Sequence, residues 1–353
     1  MIFVLFVLGF AGASGSWTTS NQSLSEPVTS VDAMVVTESG EVLILDRSNA
    51  RIIHLDASGK QKGHYGRRGQ GPGEMQYAHT LHYLPQNKAL YIHDRGKGKM
   101  LQFNLKGEEV AANPFPAGPF NDYLILSPEM TAGIRFDFSK PDQGAEIVMW
   151  QGQKERVLHR NGGGLHQNSV VIFHGDNVAG WDFDWQPKSI IAATPDGKRL
   201  FVGSTGRLRF EVYDVETGKS VGRIEESVPR VLIDDQDKAQ DVETFKKAYP
   251  DMAHAINEKA IGFPEFKTPV KNIIADSQGR LWVSINQFPS AKQSETRVYA
   301  QDGSKLGSVF LEKGFRVVHA NTNWLWGFRY NEQQDQYSFT KRPYKIEGSN
   351  AIR

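Results

Sequence analysis

Residues 42–60 read VLILDRSNARIIHLDASGK, and residues 90–108 read LYIHDRGKGKMLQFNLKGE. At an offset of 48 residues (Asp46 to Asp94), Arg47 meets Arg95, Ile52 meets Met100, Leu55 meets Phe103 and Gly59 meets Gly107. Each copy runs apolar strand, polar turn, apolar strand, glycine turn. A strand-and-turn unit that recurs near this period is the pattern of β-propeller blades.

The same grammar continues along the chain. A turn of Gly, Asn or Asp precedes a short apolar run at ESGEVLIL (38–45), PQNKALYI (85–92), PDGKRLFV (195–202), SQGRLWVS (277–284) and NTNWLWGF (321–328). A further strand precedes each of these turns. Residues 122–138 and 146–159 supply a more degenerate copy between the second and the fourth. The first strands of the six units therefore begin near residues 31, 79, 122, 189, 271 and 315. The polar segment WTTSNQSL (17–24) can return to the last unit as its outer strand, which removes the open edges a linear array would leave. The expected fold is all-β: a six-bladed β-propeller, residues 17–353, whose N-terminal strand closes the last blade.

Two stretches break the period. Residues 160–187 are rich in Gly, Asn and Trp. Residues 233–262 predict a short helical insertion between blades four and five. Asp234 or Asp235 would cap it, Val242, Phe245, Ala248 and Ala253 would form its apolar stripe, and Pro250 would split it.

Composition narrows the function classes. Lys plus Arg is 41 and Asp plus Glu is 40, so net charge makes no case for nucleic acid or an anionic membrane. There is no cysteine, which excludes disulfides, zinc–thiolate sites, thiol nucleophiles and a lipidated cysteine. Met1 to Phe10 is apolar, and Ala11-Gly12-Ala13 follows as a small-x-small site. The stretch is too short to span a bilayer and reads as a signal peptide over residues 1–16; the other reading is a buried first strand. With no transmembrane segment after it, the mature chain is expected in a bacterial periplasm or secreted, as a monomer.

At this point the chain resembles a family. Asp46-Arg47-Ser48-Asn49-Ala50-Arg51-Ile52 matches the D-x-x-N-x-R-[IV] core of the NHL repeat. The segment from Gly66 to Met75, GRRGQGPGEM, is similar to the glycine-rich connection between NHL blades. Gly279-Arg280-Leu281-Trp282-Val283 resembles another element of those repeats. Over residues 28–348 the plan resembles exported bacterial six-bladed propellers of the NHL and TolB-like group. Blade two departs from the motif, because Lys97 and Lys99 stand where Asn and Arg would.

Within the motif, Asp46 is expected to hold its turn by accepting turn amides and pairing with Arg51. The glycine-rich loop lacks the Lys-Ser/Thr of a P-loop and no helix follows it, so it is not read as a nucleotide site. Propeller topology sets the start of each first strand (strand a) beside the turn between its second and third strands (strands b and c), so function is expected in those loops. Arg47, Arg95, Arg135 and Arg329 end b strands, while Lys188, Lys271 and Arg316 begin a strands. Together they predict a rim that could hold an anionic group. The alternative is that these charges pair with Asp46, Asp94, Asp122 and Asp137. Trp181, Phe183 and Trp185 alternate with acids and form either a stacking platform or a buried strand.

Among the ten histidines, His79 and His82 lie three apart on one strand, which by alternation sets them on opposite faces. The expected function is a binding module for a peptide, glycan or partner protein at the loop-rich face, with no cofactor. The alternative is a lactonase-like metal-dependent hydrolase or lyase, which would need oxygen ligands in the central channel. Asp32, Asn121, Asp122 and Asn272, near strand-a starts, would then hold a divalent metal such as calcium.

Overall fold

The computed structural model describes residues 15–31, 33–114, 120–136, 144–152, 154–161, 170–174, 177–181, 185, 187–256, 258, 261–286, 291–331 and 333–348. The signal-peptide expectation lies mainly outside these residues, as do Asp32, Asp137 and Phe183.

The chain opens with β1 (Trp17–Ser20). Blade one is β2 (Ala33–Val36), β3 (Val42–Asp46), β4 (Arg51–Leu55) and β5 (Gln61–Tyr65). Blade two is β6 (Ala78–Leu84), β7 (Ala89–Asp94), β8 (Lys99–Asn104) and β9 (Glu109–Pro114). Blade three is β10 (Phe120–Ser127), β11 (Met130–Phe136), β12 (Ala145–Gln151) and β13 (Lys154–Asn161). A separate hairpin, β14 (Val170–His174) with β15 (Asn177–Trp181), occupies the first insertion. Blade four is β16 (Ser189–Ala193), β17 (Arg199–Ser204), β18 (Arg207–Asp214) and β19 (Ser220–Glu225). After α1 (Asp235–Ala248) comes blade five: β20 (Val270–Ala275), β21 (Leu281–Ile285), β22 (Gln293–Tyr299) and β23 (Lys305–Glu312). Blade six is β24 (Arg316–Ala320), β25 (Trp324–Asn331) and β26 (Gln336–Pro343), with β1 as its fourth strand. Every blade is antiparallel, and all but blade six, which β1 completes, pair in sequence order, the six-bladed β-propeller that the repeat predicts.

The chain divides into two compact units, one formed by residues 1–115 and 314–344, the other by residues 116–313 and 345–353. In the first, β3 shows why propeller strands read as unbroken apolar runs. Leu43 and Leu45 enter a core with Leu81, Leu90, Ile92 and Phe103 of blade two. Val42 and Ile44, on the other face, enter a core with Trp326, Phe328 and Phe339 of blade six. Burial on both faces makes each such side chain worth about 1.5–3 kcal/mol. In the second unit β17 repeats the plan: Leu200 and Val202 pack towards blade three, Phe201 towards blade five.

The repeated glycine of the opening motif has a packing reason. Gly59 sits at φ +85°, and a Cβ there would lie 2.5 Å from the Trp17 ring of β1. Gly107 sits at φ +86° and would meet the Tyr65 ring of β5. Each glycine seats an aromatic residue from the outer strand of the preceding blade. Around Gly59, Trp17 Nε1 also donates to the Ala57 carbonyl at 2.9 Å, and the Thr19 hydroxyl donates to the Gly59 carbonyl at 2.6 Å.

The helical insertion lies where expected. Asp234 caps α1 and forms a capping box with Asp237. The helix stops before Pro250, and a 3-10 helix spans Pro250–Ala255. Val242 and Phe245 are buried. Among the described residues, no helix is long and apolar enough to cross a membrane.

Candidate functional site

The two copies of the opening motif build the site, and both belong to the first unit. In blade one, β3 ends at Asp46, Arg47–Asn49 make a 3-10 turn, and Ala50 takes the left-handed conformation at φ 51°. Asp46 is fully buried, so its oxygens need donors. They accept from the Thr29 hydroxyl at 3.0 Å, the Ser30 amide at 3.2 Å, Asn49 Nδ2 at 2.8 Å and Arg51 Nε at 3.1 Å. Arg51 also donates to the Pro27 carbonyl at 2.7 Å and pairs with Glu26. Thr29 and Ser30 lie on the loop leading into β2. The acid at the end of strand b therefore fastens the approach to strand a.

Blade two does the same job with other donors. Asp94, also fully buried, accepts the amides of Gln76 at 2.7 Å, Tyr77 at 2.9 Å and Lys97 at 3.2 Å. Lys97, which replaces the motif's Asn, donates from Nζ to the carbonyls of Gly71 at 3.0 Å and Glu74 at 2.8 Å. The glycine-rich loop is thus pinned by a lysine of the turn beside it. Gly96 permits the close approach, since a Cβ there would stand 2.6 Å from Gln76 Cβ.

Both acids are used within their turns, and among the described residues neither pairs with the arginine that follows it. The Arg47 guanidinium lies over the Tyr77 ring, 5.6 Å from its centre. The Arg95 amide donates to the Tyr77 carbonyl at 2.9 Å. Arg68, from the glycine-rich loop, donates to the Ser48 carbonyl at 2.9 Å and the Gln76 carbonyl at 3.3 Å. Tyr77 itself is 46% exposed.

Two residues further on, β6 is bulged, and His79 is the residue skipped between the pairs Ala78–Asp94 and Thr80–His93. The alternation that set His79 and His82 on opposite faces is therefore interrupted here. Burial, then the charges of Arg95 and Arg47, push the His79 pKa down to about 4. Burial and then His93 take His82 down to about 4. Burial and then Arg95 take His93 to about 4, although Asp94 pulls the other way. All three imidazoles are neutral at pH 7, and the guanidinium groups carry the local charge.

The remaining candidates are spread over other blades. In blade six of the first unit, Arg329 is exposed on β25, and exposed Arg316 lies over the Phe328 ring at 5.8 Å. In the second unit, Arg135 is held between Glu146 and Glu155, each at 2.6 Å. Their hydrogen bonds, Glu155 foremost, raise its pKa further. Lys188 is half-buried before β16, its amide donating to the Thr205 hydroxyl at 2.8 Å, while Lys271 is exposed on β20. Trp185 is half-buried beneath Lys267, whose Nζ is 4.6 Å from the ring centre and 2.6 Å from Asp237. Trp181 ends β15, with its side chain outside the described residues.

Of the alternative metal set, Asp122 is exposed and Asn272 half-buried, while Asp32 and the Asn121 side chain fall outside the description. Among the described residues, no group of three His, Asp or Glu side chains is placed to hold a metal ion. Asn121 and Lys271 are bulge residues of their a strands, as His79 is. Sequence reading placed His79 by strand alternation alone and missed both the bulge and the charges of Arg95 and Arg47 that act on it. Its position two residues after Tyr77, at a strand-a start, was the available signal.

Comparison with known proteins bears on the fold. Residues 25–121 match the DUF5128 family, described as a 6-bladed beta-propeller. No curated protein matches the sequence significantly. Among solved structures, a member of the DUF4221 family from Bacteroides vulgatus is similar at TM-score 0.55 and 11% identity, covering 94% of this chain and 97% of that one. A candidate exported protein from Bacteroides fragilis is similar at TM-score 0.49 and 14% identity, covering 95% and 97%. Regucalcin from Agrobacterium tumefaciens, a calcium-binding protein, is similar at TM-score 0.45 and 11% identity, covering 90% and 91%.

Proposed function

We propose that this chain is an exported propeller that acts as a binding module, engaging an anionic group of a peptide, glycan or partner protein at the strand b–strand c turns of blades one and two. One observation carries the reading. The buried acids of the repeat are consumed by their own turns, while the Arg47 guanidinium lies over exposed Tyr77, whose backbone carbonyl accepts the Arg95 amide. Arginine and tyrosine next to each other supply charge, planar hydrogen bonding and contact area, the usual composition of binding hot spots.

The apolar run of residues 1–10 and the small residues after it support export. Calorimetry with acidic peptides and acidic oligosaccharides at pH 7.5 tests the binding. Arg47→Gln with Arg95→Gln should abolish binding of every such ligand and leave the circular dichroism spectrum and unfolding midpoint unchanged. Unchanged affinity in that double variant would remove the reading.

A further inference from the structure

In the second unit, the turns at the opposite end of the blades from the strand b–strand c turns enclose a cavity of about 240 Å³ between blades four and five. The β16–β17 turn lends it Thr194, Asp196 and Lys198, and β17 opens on it with Arg199. Ser277 comes from the β20–β21 turn and Gln301 from the β22–β23 turn. These walls are held in place by their own contacts. The buried Thr194 hydroxyl donates to Asp196 Oδ1 at 2.5 Å and accepts the Arg199 amide at 3.1 Å. Arg199 donates from Nη1 to Asp214 Oδ2 at 2.5 Å and from Nε to Gln301 Oε1 at 3.3 Å. Gln301 is seated against Gly279, at φ +76°, where a Cβ would run into Gln301 Nε2. Polar groups fixed in advance spare a ligand the cost of ordering them.

Charge and hydrogen bonding together decide the class of ligand. The charges are balanced, since Arg199 is paired with Asp214, and Lys198 Nζ lies 3.9 Å from Asp196 Oδ2. An ion would enter with no uncompensated countercharge to meet it. Hydrogen-bonding capacity is left over in both senses. Among the described residues, Arg199 Nη2, Gln301 Nε2 and the Ser277 hydroxyl have no hydrogen-bond partner, and Asp196 Oδ2 accepts no hydrogen bond. Each hydroxyl of a sugar both donates and accepts, which suits donors and an acceptor set side by side. The lining holds no aromatic ring, so a sugar there is read at its hydroxyls rather than by stacking on its face.

We propose that this cavity is a site for one neutral hexose unit, independent of the anionic-group site on blades one and two. Arg199 Nη2 and Gln301 Nε2 donate to sugar oxygens, Asp196 Oδ2 accepts from a sugar hydroxyl, and exposed Ser277 stands at the mouth. NMR of isotope-labelled wild-type protein follows the Gln301 side-chain amide as D-glucose, D-galactose or D-mannose is added. At least one of these sugars should move that resonance along a saturable curve in the millimolar range. Gln301→Met removes Nε2 at similar volume and should weaken that sugar about three- to tenfold. Ser277→Tyr, at an exposed turn position, should fill the mouth and abolish saturation transfer to the sugar without moving the unfolding midpoint. Arg47→Gln with Arg95→Gln should leave the hexose affinity unchanged, because the two sites share no residue.

No saturable shift with any of the three sugars would overturn the proposal. A shift produced by glucuronate or inorganic phosphate and by none of the neutral sugars would overturn the choice of an uncharged ligand. Hexose binding that leaves the Gln301 amide unmoved and survives Ser277→Tyr would overturn the site. None of these outcomes bears on the binding reading of blades one and two.

Discussion

The turns after Asp46 and Asp94 descend from one sequence pattern and fasten the same loop, yet they reach that end with different donors. In blade one the carboxylate is filled by hydroxyls, an amide, Asn49 and Arg51. In blade two backbone amides suffice. Because Asp94 needs no side-chain base, Lys97 is released to hold the glycine-rich loop. The comparison teaches that the acid is the constant part of the repeat, while the residues around it are available for local duties.

The largest effect should come from removing the acid where a buried base depends on it. Asp46→Ala leaves Arg51, 8% exposed, without its inner partner, and should cost about 3–5 kcal/mol in denaturant unfolding. Asp94→Ala leaves only amides unsatisfied and should cost about 1–3 kcal/mol. Equal losses would erase the difference between the turns.

Acidification should separate the blades next. Blade two holds His79, His82 and His93 with folded pKa values of about 4, below the unfolded value near 6.5. Between those values the unfolded chain binds more protons than the folded one. Their contribution is therefore present above about pH 6.5 and is lost as pH falls towards 4. In blade one, burial likewise lowers His54, but it is a single group. Replacing the three blade-two histidines with Asn should flatten the pH dependence of the unfolding midpoint much more than His54→Asn does.

A smaller effect tests the turn sterically. Gly96→Ser makes blade two resemble blade one, where Ser48 stands at the aligned position. The clash with Gln76 Cβ should cost about 1–3 kcal/mol, whereas Ser48→Gly should cost at most about 1 kcal/mol. The smallest loss, about 1 kcal/mol, is expected for Lys97→Met, with amide exchange quickening in residues 69–75 and not at Asp46.

Much of the fold was legible. The first strands begin within a few residues of the expected positions, because strands buried on both faces and separated by polar turns carry their signal locally. The return of WTTS to blade six and the capped helix ended by Pro250 were legible for similar reasons: an edge must be paired, and a proline lacks an amide hydrogen. The site was legible only in part. Arg47 and Arg95 could be named, since they follow repeated acids. The pairing of Arg135 with two glutamates could not, because Glu146 and Glu155 lie on neighbouring strands whose register no local pattern states. His79 was hidden by its bulge, which breaks the period-two rule that strand reading depends on.

The sequence by itself determined the blade repeat, the glycines at 59 and 107, the acids at 46 and 94, and the absence of thiol chemistry, since each follows from residue type and spacing along the chain. Only the tertiary structure decided what those acids bind, which aromatic residue each glycine seats, and that Arg47 lies over the ring of Tyr77 while the Arg95 amide donates to the carbonyl of that same residue. The reason is physical. Hydrophobic periodicity and turn chemistry act between near neighbours, whereas hydrogen-bond partners and electrostatic fields are set by distance in space, which the packing of one blade on the next creates.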